Sequence, residues 1–502
     1  MNSKIGLALY DGAARILPGE TVGWPDTIFG DPATKTLTLK NDGSKNVTLS
    51  GPLIVSKTGG GGQAAYGGIV QPVQLTLAPG ASTSFSVDFT PAAPDADYAC
   101  DFVINSNDAS FPAYAFSGSG HSTQWHGSKA IVSAAGTTYF YCPKLAYVAS
   151  PTPTLYAAYK VYDSATPANS GIAIRSSVDG GKTWSAATLV VASTDVGGFS
   201  FTASSYGLHL FYSLTSANTC HYCAAPSGTL SFTWTGSFSF GTNYYNPGNE
   251  AISCANGQVY VAAYDNTSSP KKLYLYVRQD GFYSYMGSTI PWDFTSYVVA
   301  DGSTHTGGFY PTLKVDANNV YLAYTDSKVL RTARIPRSTI SDPGTWSYGT
   351  AWTDASNIAR DVIAIDSTRA YLFYAVSDGT GEPRLRASTD LTLGSWSTGH
   401  SFSGEGSDGS NNIVFRMPDG NRMFAVWTSR YGGVDSLRMS RSTDAGLSWS
   451  TQPLDASSGV AGSYTAMEIV GSTVYAAYST NSPHPNGYSI TIKKSLDGGA
   501  TW

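Results

Sequence analysis

SVDGGKTW (177–184), STDAGLSW (442–449) and SLDGGATW (495–502) are three copies of one pattern, S-x-D-x-G-x-[ST]-W. Its chemistry is local. The Asp can accept hydrogen bonds from backbone N–H groups of its own turn, and Gly supplies the positive φ that the turn needs. The Trp then covers the hairpin and packs between neighbouring units. Looser copies fill the gap: SGTLSFTW (227–234), RQDGFYSY (278–285), ISDPGTW (340–346) and STDLTLGSW (388–396). The terminal aromatics Trp184, Trp234, Tyr285, Trp346, Trp396, Trp449 and Trp502 are separated by 50, 51, 61, 50, 53 and 53 residues. Seven units at one period make a repeat architecture. An Asp that repeats along the chain and is lost in some copies reads as a turn device, not as a metal ligand or a catalytic acid. Asp179, Trp184, Asp444, Trp449, Asp497 and Trp502 are therefore structural residues.

A second series has the same count. An apolar run precedes each box: LYAAY (155–159), LHLFY (208–212), VYVAAY (259–264), VYLAY (320–324), AYLFY (370–374), MFAVW (423–427) and VYAAY (474–478). Each follows another short strand and a turn, as in PTLKVDANNVYLAY (311–324). The unit is strand, turn, strand, loop, strand, box, strand. Seven such units predict an all-β fold whose larger part is a seven-bladed β-propeller. The seventh unit has three strands, and an open sheet edge invites aggregation. GSKAIVSAAG (127–136) is predicted to supply the fourth strand, beside the one carrying Lys493 and Lys494. A truncated chain is the alternative.

Composition agrees. At 502 residues the chain is too long for one ordinary core, and only 13% of residues are charged while Gly (53) and Tyr (33) are abundant. A net charge of −5 makes no electrostatic case for nucleic acid or an anionic membrane. No apolar run approaches the ~18 residues of a membrane span. The N-terminus, MNSKIGLALYDGAARILPGE, lacks the longer apolar region of a secretory signal. The expectation is a mature form or release by another route. Cys100, Cys142, Cys220, Cys223 and Cys254 are odd in number and irregular in spacing, unlike a disulfide framework. The CHYC of 220–223 is a lone CxxC, and packed thiols on a strand are the simpler reading. No metal or cofactor is expected.

Residues 1–120 lack the repeat. TKTLTLKNDG (34–43), LTLAPGASTSFSVDFTP (75–91) and INSNDASFPAYAFSGSG (104–120) alternate apolar and polar residues between turn signals, which suits a small β-sandwich. The division is an N-terminal arm (1–21), a sandwich (22–120) and the propeller (121–502). TGGGGQAAYGG (58–68) reads as a flexible loop insertion. The N-x-G turn, the LAPGAS–FTP run, the SND and the closing SGSG resemble the hydin-like and abnormal-spindle-like immunoglobulin modules. Bacteria and phages use such modules in surface proteins, which implies anchoring or scaffolding.

The boxes resemble those of the sialidase superfamily, where they lie on the face away from the active site. That family carries Arg-Ile-Pro on the first inner strand, further arginines, an acidic acid/base and a Tyr–Glu pair. Here ARIPR (333–337) falls in the fourth unit, and PKLAYVA (143–149) has no arginine. The resemblance implies the fold and leaves the sialidase arginines unmatched. A different glycosidase needs two carboxylates about 5–10 Å apart over the channel. Glu250 (in NPGNEAISC) occupies the place of the family's Glu. Asp361, beside Arg360 in IARDVIAI, begins an equivalent strand two units on. Asn411, Asn412, Tyr310 and Tyr464 are further candidates at strand entrances. His305 lies with Tyr310 in the longest insertion between units. Tyr244, Tyr245 and Tyr431 sit in amide-rich loops, and such rings suit stacking on sugars.

Two functions follow. In one, the chain is a virion-surface or extracellular attachment protein, resembling those of phages and bacteria. Residues 1–120 would then bind other virion or surface proteins, and the propeller a host polysaccharide or receptor. In the other it is a secreted carbohydrate hydrolase. A purely structural surface decoration is a third possibility.

Overall fold

A computed structural model describes residues 6–28, 31–50, 54–92, 96–108, 112–123, 127–217, 219–226, 228–232, 234–239, 251–255, 257–265, 272–279, 294–300, 309–326, 328–353, 357–377, 383–402, 413–431, 434–455, 464–480 and 488–502. The chain divides into two compact units, 1–125 and 126–502.

The first unit is built around one core of two larger sheets and a two-stranded one, Val47–Thr48 with Thr76–Leu77. One sheet holds Ala14–Ile16, Leu7–Asp11, Ala33–Asn41, Ser82–Phe89 and Tyr66–Val70 in that spatial order. The other holds Thr21–Gly23, Ala113–Thr123, Asp97–Asn105 and Val55–Gly59, with Thr27–Ile28 also on Ala113–Thr123. Alternation in the sequence sets the layers. Leu37, Leu39, Phe85 and Val87 point inward from one sheet, and Phe102, Ile104, Tyr114 and Phe116 from the other. Trp24 bridges them, its Nε1 donating to the Val87 carbonyl at 3.2 Å.

Two expectations are corrected here. Residues 1–21 are not a separate arm. Leu7–Asp11 pairs antiparallel with Ala33–Asn41, and Thr21–Gly23 runs parallel to Ala113–Thr123, because Leu7, Leu9 and Val22 each have a buried place in the core. The Gly-rich stretch 58–68 is ordered structure, with a 3₁₀ turn at Gln63–Ala65 leading into Tyr66–Val70. Its glycines serve close approach, since a Cβ on Gly60 would lie 2.5 Å from the Ala99 carbonyl oxygen.

In the second unit, seven four-stranded antiparallel sheets form among the described residues. Six are consecutive, spanning 138–192, 196–239, 252–300, 309–353, 357–401 and 413–455, and are called here the first to the sixth sheet. The seventh joins Thr465–Val470, Thr473–Thr480 and Ser489–Ser495 to Gly127–Val132. Gly127 lies opposite Lys494 and Ser128 opposite Lys493, the pairing expected from the sequence. The first strands of successive sheets touch one another, and the first strand of the seventh sheet touches that of the first. This closed circuit of separate sheets is a β-propeller.

Antiparallel order fixes what lies at each end. Every first strand starts at one end, called here the mouth. The loops between second and third strands, and the links from sheet to sheet, are therefore also at the mouth. The boxes join third to fourth strands at the opposite end. Three full boxes share one bonding scheme. Ser177, Ser442 and Ser495 each donate to Oδ1 of the following Asp179, Asp444 or Asp497 at 2.7 Å. Each Ser oxygen accepts the N–H of Gly181, Gly446 or Gly499 at 2.7–2.8 Å. Each Asp accepts the N–H of Thr183, Ser448 or Thr501 at 2.9 Å. The residues after Asp take positive φ, which Gly180 (65°) and Gly498 (63°) tolerate and Ala445 (57°) adopts despite its Cβ.

The box tryptophans pack at the seams. Trp346 joins the core shared by the third and fourth sheets, and Trp396 lies against that of the fourth and fifth. Trp449 and Trp502 do the same one and two seams further on. Cys220 and Cys223 fall on opposite faces of the strand Thr219–Pro226. Cys220 enters the core between the second and third sheets and Cys223 that between the first and second. Burial pushes the Cys220 thiol up to about 12. All five cysteines are free thiols. Among the described residues no helix is long and apolar enough to cross a membrane.

Candidate functional site

The mouth is where the regular ladder breaks. Register shifts interrupt the pairing of first and second strands at Tyr141/Lys144, Val196/Phe199, Phe309/Thr312 and Ala359/Asp361, in the first, second, fourth and fifth sheets. All four lie in the mouth half of their strand. A bulge leaves a residue out of the ladder and re-aims it, which is why bulges gather beside binding sites. Two of the residues so released are non-glycines at positive φ, Cys142 (54°) and Tyr310 (52°). Backbone in that region is strained for a residue with a Cβ and is held there by its surroundings.

Aromatic and cationic groups collect at this end. Tyr141 of the first sheet meets Tyr464, which leads into the seventh, with ring centroids 5.9 Å apart. Lys160, at the mouth end of Thr154–Asp163, lies over the Tyr141 ring with Nζ 5.5 Å from its centroid. The same Nζ donates to the Val196 carbonyl at 2.7 Å and to that of Gly197. It thereby ties the first sheet to the bulge of the second. Burial lowers the Lys160 pKa, opposed by Cys142, and raises that of Tyr141.

The site residues expected from sequence distribute as follows. Tyr310 and Tyr464 stand at the mouth, and Arg360 is the residue left out of register in the fifth sheet, directly before Asp361. The strand positions of Arg360, Asp361 and Tyr431 are described, but their side chains are not. Tyr244, Tyr245, Glu250 and His305 lie outside the described residues, as do Asn411 and Asn412.

Sequence reasoning missed the axis. A cavity of ≈ 60 Å³ lies between the first strands, lined in part by Lys144, Thr202, Lys314, Arg416 and Thr465. That space holds a few waters or one small ion but not a sugar ring. Pairing explains the convergence. Ala146, Thr202, Ser253, Lys314, Ala364, Arg416 and Glu468 each sit opposite the leading aromatic or His of the second-strand run: Tyr156, His209, Tyr260, Tyr321, Tyr371, Phe424 and Tyr475. They form one level of the propeller, and three of the seven are charged. Burial pushes Lys314 down to about 8 against the pull of Glu468. It raises the Glu468 pKa, which Arg416 and Lys314 work to lower. The signal was in the sequence: in five units the axial residue lies seven positions before that aromatic or His.

No family model and no curated protein matches this chain. Among solved structures it is similar to a polysaccharide lyase of family PL25, an ulvan lyase, at 10% identity and TM-score 0.49, covering 72% of this chain and 96% of the lyase. A second is the NanB sialidase of Streptococcus pneumoniae, at 12% identity and TM-score 0.41, covering 92% and 83%. A third is the α-L-arabinanase of Penicillium chrysogenum, at 14% identity and TM-score 0.38, covering 75% and 99%. Likeness at this level carries no function across, and the fold assignment rests on the strand pairing itself.

Proposed function

We propose that this chain is an attachment protein of a virion surface or another extracellular surface. Its propeller, seven-bladed by its sheets, presents the mouth to a saccharide or receptor of the host. Its N-terminal sandwich, immunoglobulin-like in its sequence motifs, anchors it to neighbouring surface proteins. The observation that carries this reading is the run of bulges around the mouth, with Tyr141, Tyr464 and Tyr310 beside them. Rings with one apolar face and a polar edge suit sugar stacking. The box end, by contrast, turns its polar groups on its own turns.

A second reading, a glycoside hydrolase, is favoured by one detail. Asp361 directly follows the bulged Arg360, a position suited to presenting a carboxylate. One experiment separates the two. The full chain is incubated with a panel of neutral and acidic polysaccharides, and bound protein and newly formed reducing ends are measured together. Binding without new ends, lost in Tyr141→Ala and Tyr464→Ala, is the expected result. New ends that vanish in Glu250→Ala or Asp361→Ala would make the protein a hydrolase.

A further inference from the structure

At the mouth, the seam between the first and second sheets holds an ammonium that no carboxylate faces. Lys160 is 8% exposed, and its Nζ is held by the Val196 and Gly197 carbonyls beside the Tyr141 ring. Two carboxylates stand close to it in the chain, and both are engaged elsewhere. Asp163 accepts from the N–H groups of Ala165 and Thr166 at 3.0 Å and from the Thr137 hydroxyl at 3.1 Å. Asp195, directly before Val196, accepts from the Thr215 and Ser216 hydroxyls and from the Ser216 N–H at 2.7 Å. Among the described residues no Asp or Glu forms an ion pair with Lys160; the Cys142 thiol is the group that favours its charged form. Carbonyl dipoles satisfy N–H donors without supplying a counter-charge, and a buried charge is costly without one. Aromatic surface flanks the ammonium on both sheets. Tyr162, on the same face of the strand as Lys160, stacks on Tyr139 with centroids 6.1 Å apart and is 42% exposed. From the second sheet, Tyr212 enters the same seam and stacks on His221 at 5.1 Å.

We propose that this seam is the subsite by which the mouth selects acidic saccharides, with Lys160 pairing the carboxylate or sulfate of one sugar. The inference rests on the reading of the mouth as a saccharide site and names the class of saccharide. An ammonium has three N–H donors, and two carbonyls leave one for a ligand oxygen. The rings explain why the anion would come on a sugar. Tyr141 and Tyr162 offer apolar faces beside the ammonium, which a free ion cannot use and a sugar ring can. Lys160 is thus a specificity-determining residue. The tyrosines hold any sugar of suitable shape, and the ammonium prefers one that brings the missing negative charge.

The test measures binding of the full chain to two matched pairs of polymers, polygalacturonate with its methyl ester and dextran sulfate with dextran. Each pair shares a backbone and differs in charge. The expected result is that the charged member of at least one pair binds about tenfold more tightly. In Lys160→Gln that preference should shrink to roughly twofold or less, and in Lys160→Arg, which keeps a cation, most of it should remain. Should Lys160→Gln fail to fold, NMR of the wild type with ¹³C-labelled lysine decides. The signal missing from Lys160→Arg belongs to Lys160, and it should shift with the charged polymer and not with its neutral partner. Equal affinity within both pairs overturns the subsite and leaves the mouth a site for neutral saccharides. So does a preference that survives intact in Lys160→Gln, or a Lys160 signal that does not move. Binding to none of the four polymers overturns the saccharide reading of the mouth, and the subsite with it. Acetate that displaces polygalacturonate at equal carboxylate concentration makes the seam a free-anion site and refutes the saccharide assignment.

Discussion

The two ends of the propeller use the same strands for opposite purposes. At the box end, Ser, Asp and Gly of each full box satisfy one another within eight residues, and the Trp closes the seam beside it. At the mouth, register shifts release residues from the ladder, and Lys160 reaches across from one sheet to the next. One end closes on its own turns. The other carries the released residues, and it is there that we propose a ligand is met.

That division can be broken experimentally. Asp179→Ala should give the largest effect, a loss of about 2 kcal/mol in stability, since it removes the acceptor for Thr183 and Ser177. Denaturant unfolding measures it, and saccharide binding by the folded fraction should be unchanged. Tyr141→Ala and Tyr464→Ala should do the reverse. Binding falls roughly fivefold to tenfold in a titration while stability moves much less. If both classes of variant lose binding and stability together, the two ends are not separable.

Acid should weaken the boxes. Hydrogen bonds from Ser448 and Ser442 pull the Asp444 carboxyl down to about 2, below its ordinary 3.8. A folded-state pKa below the unfolded value contributes stability that is full above the unfolded value and lost as pH falls through the folded one. The expectation is that stability declines between pH 4 and pH 2, and that Asp444→Asn flattens this decline. The smallest effect should come from Ala445→Gly. It relieves a left-handed alanine, for a gain of about 0.5–1 kcal/mol less the entropy that glycine adds to the unfolded chain. A loss instead would mean that the Ala445 side chain earns its place against the core of the fifth and sixth sheets.

Legibility follows the same division. The boxes, the strand order and the pairing of 127–132 with 489–495 could be read from the sequence because each depends on contiguous patterns or on counting strands. The N-terminal hairpin was missed because the apolar run Leu7, Ala8 and Leu9 is too short to stand out from a terminal arm. The bulges were missed because register is decided between strands, and no local signal marks Cys142 or Tyr310 as a residue that leaves the ladder. Lys314, Arg416 and Glu468 lie far apart in sequence and become neighbours only when the sheets close in a circuit. For the same reason Glu250 and Asp361 could be placed on strand ends by sequence, but not paired.

The strand 127–132 also imposes an order in time. It leaves the ribosome before any of the six consecutive sheets, yet its partner is Ser489–Ser495. Ala134 donates to the Ser489 hydroxyl across 355 residues of chain. Local hairpins such as Thr154–Asp163 with Gly171–Ser177 can form as they emerge, while this pairing must wait until all six consecutive sheets and residues 489–495 have been made. Until then the strand is an exposed ladder, and the same segment of a second chain would serve it equally well. Slow closure at high local concentration therefore favours exchange of the seventh sheet between neighbouring nascent chains, and dilute refolding favours the single closed circuit.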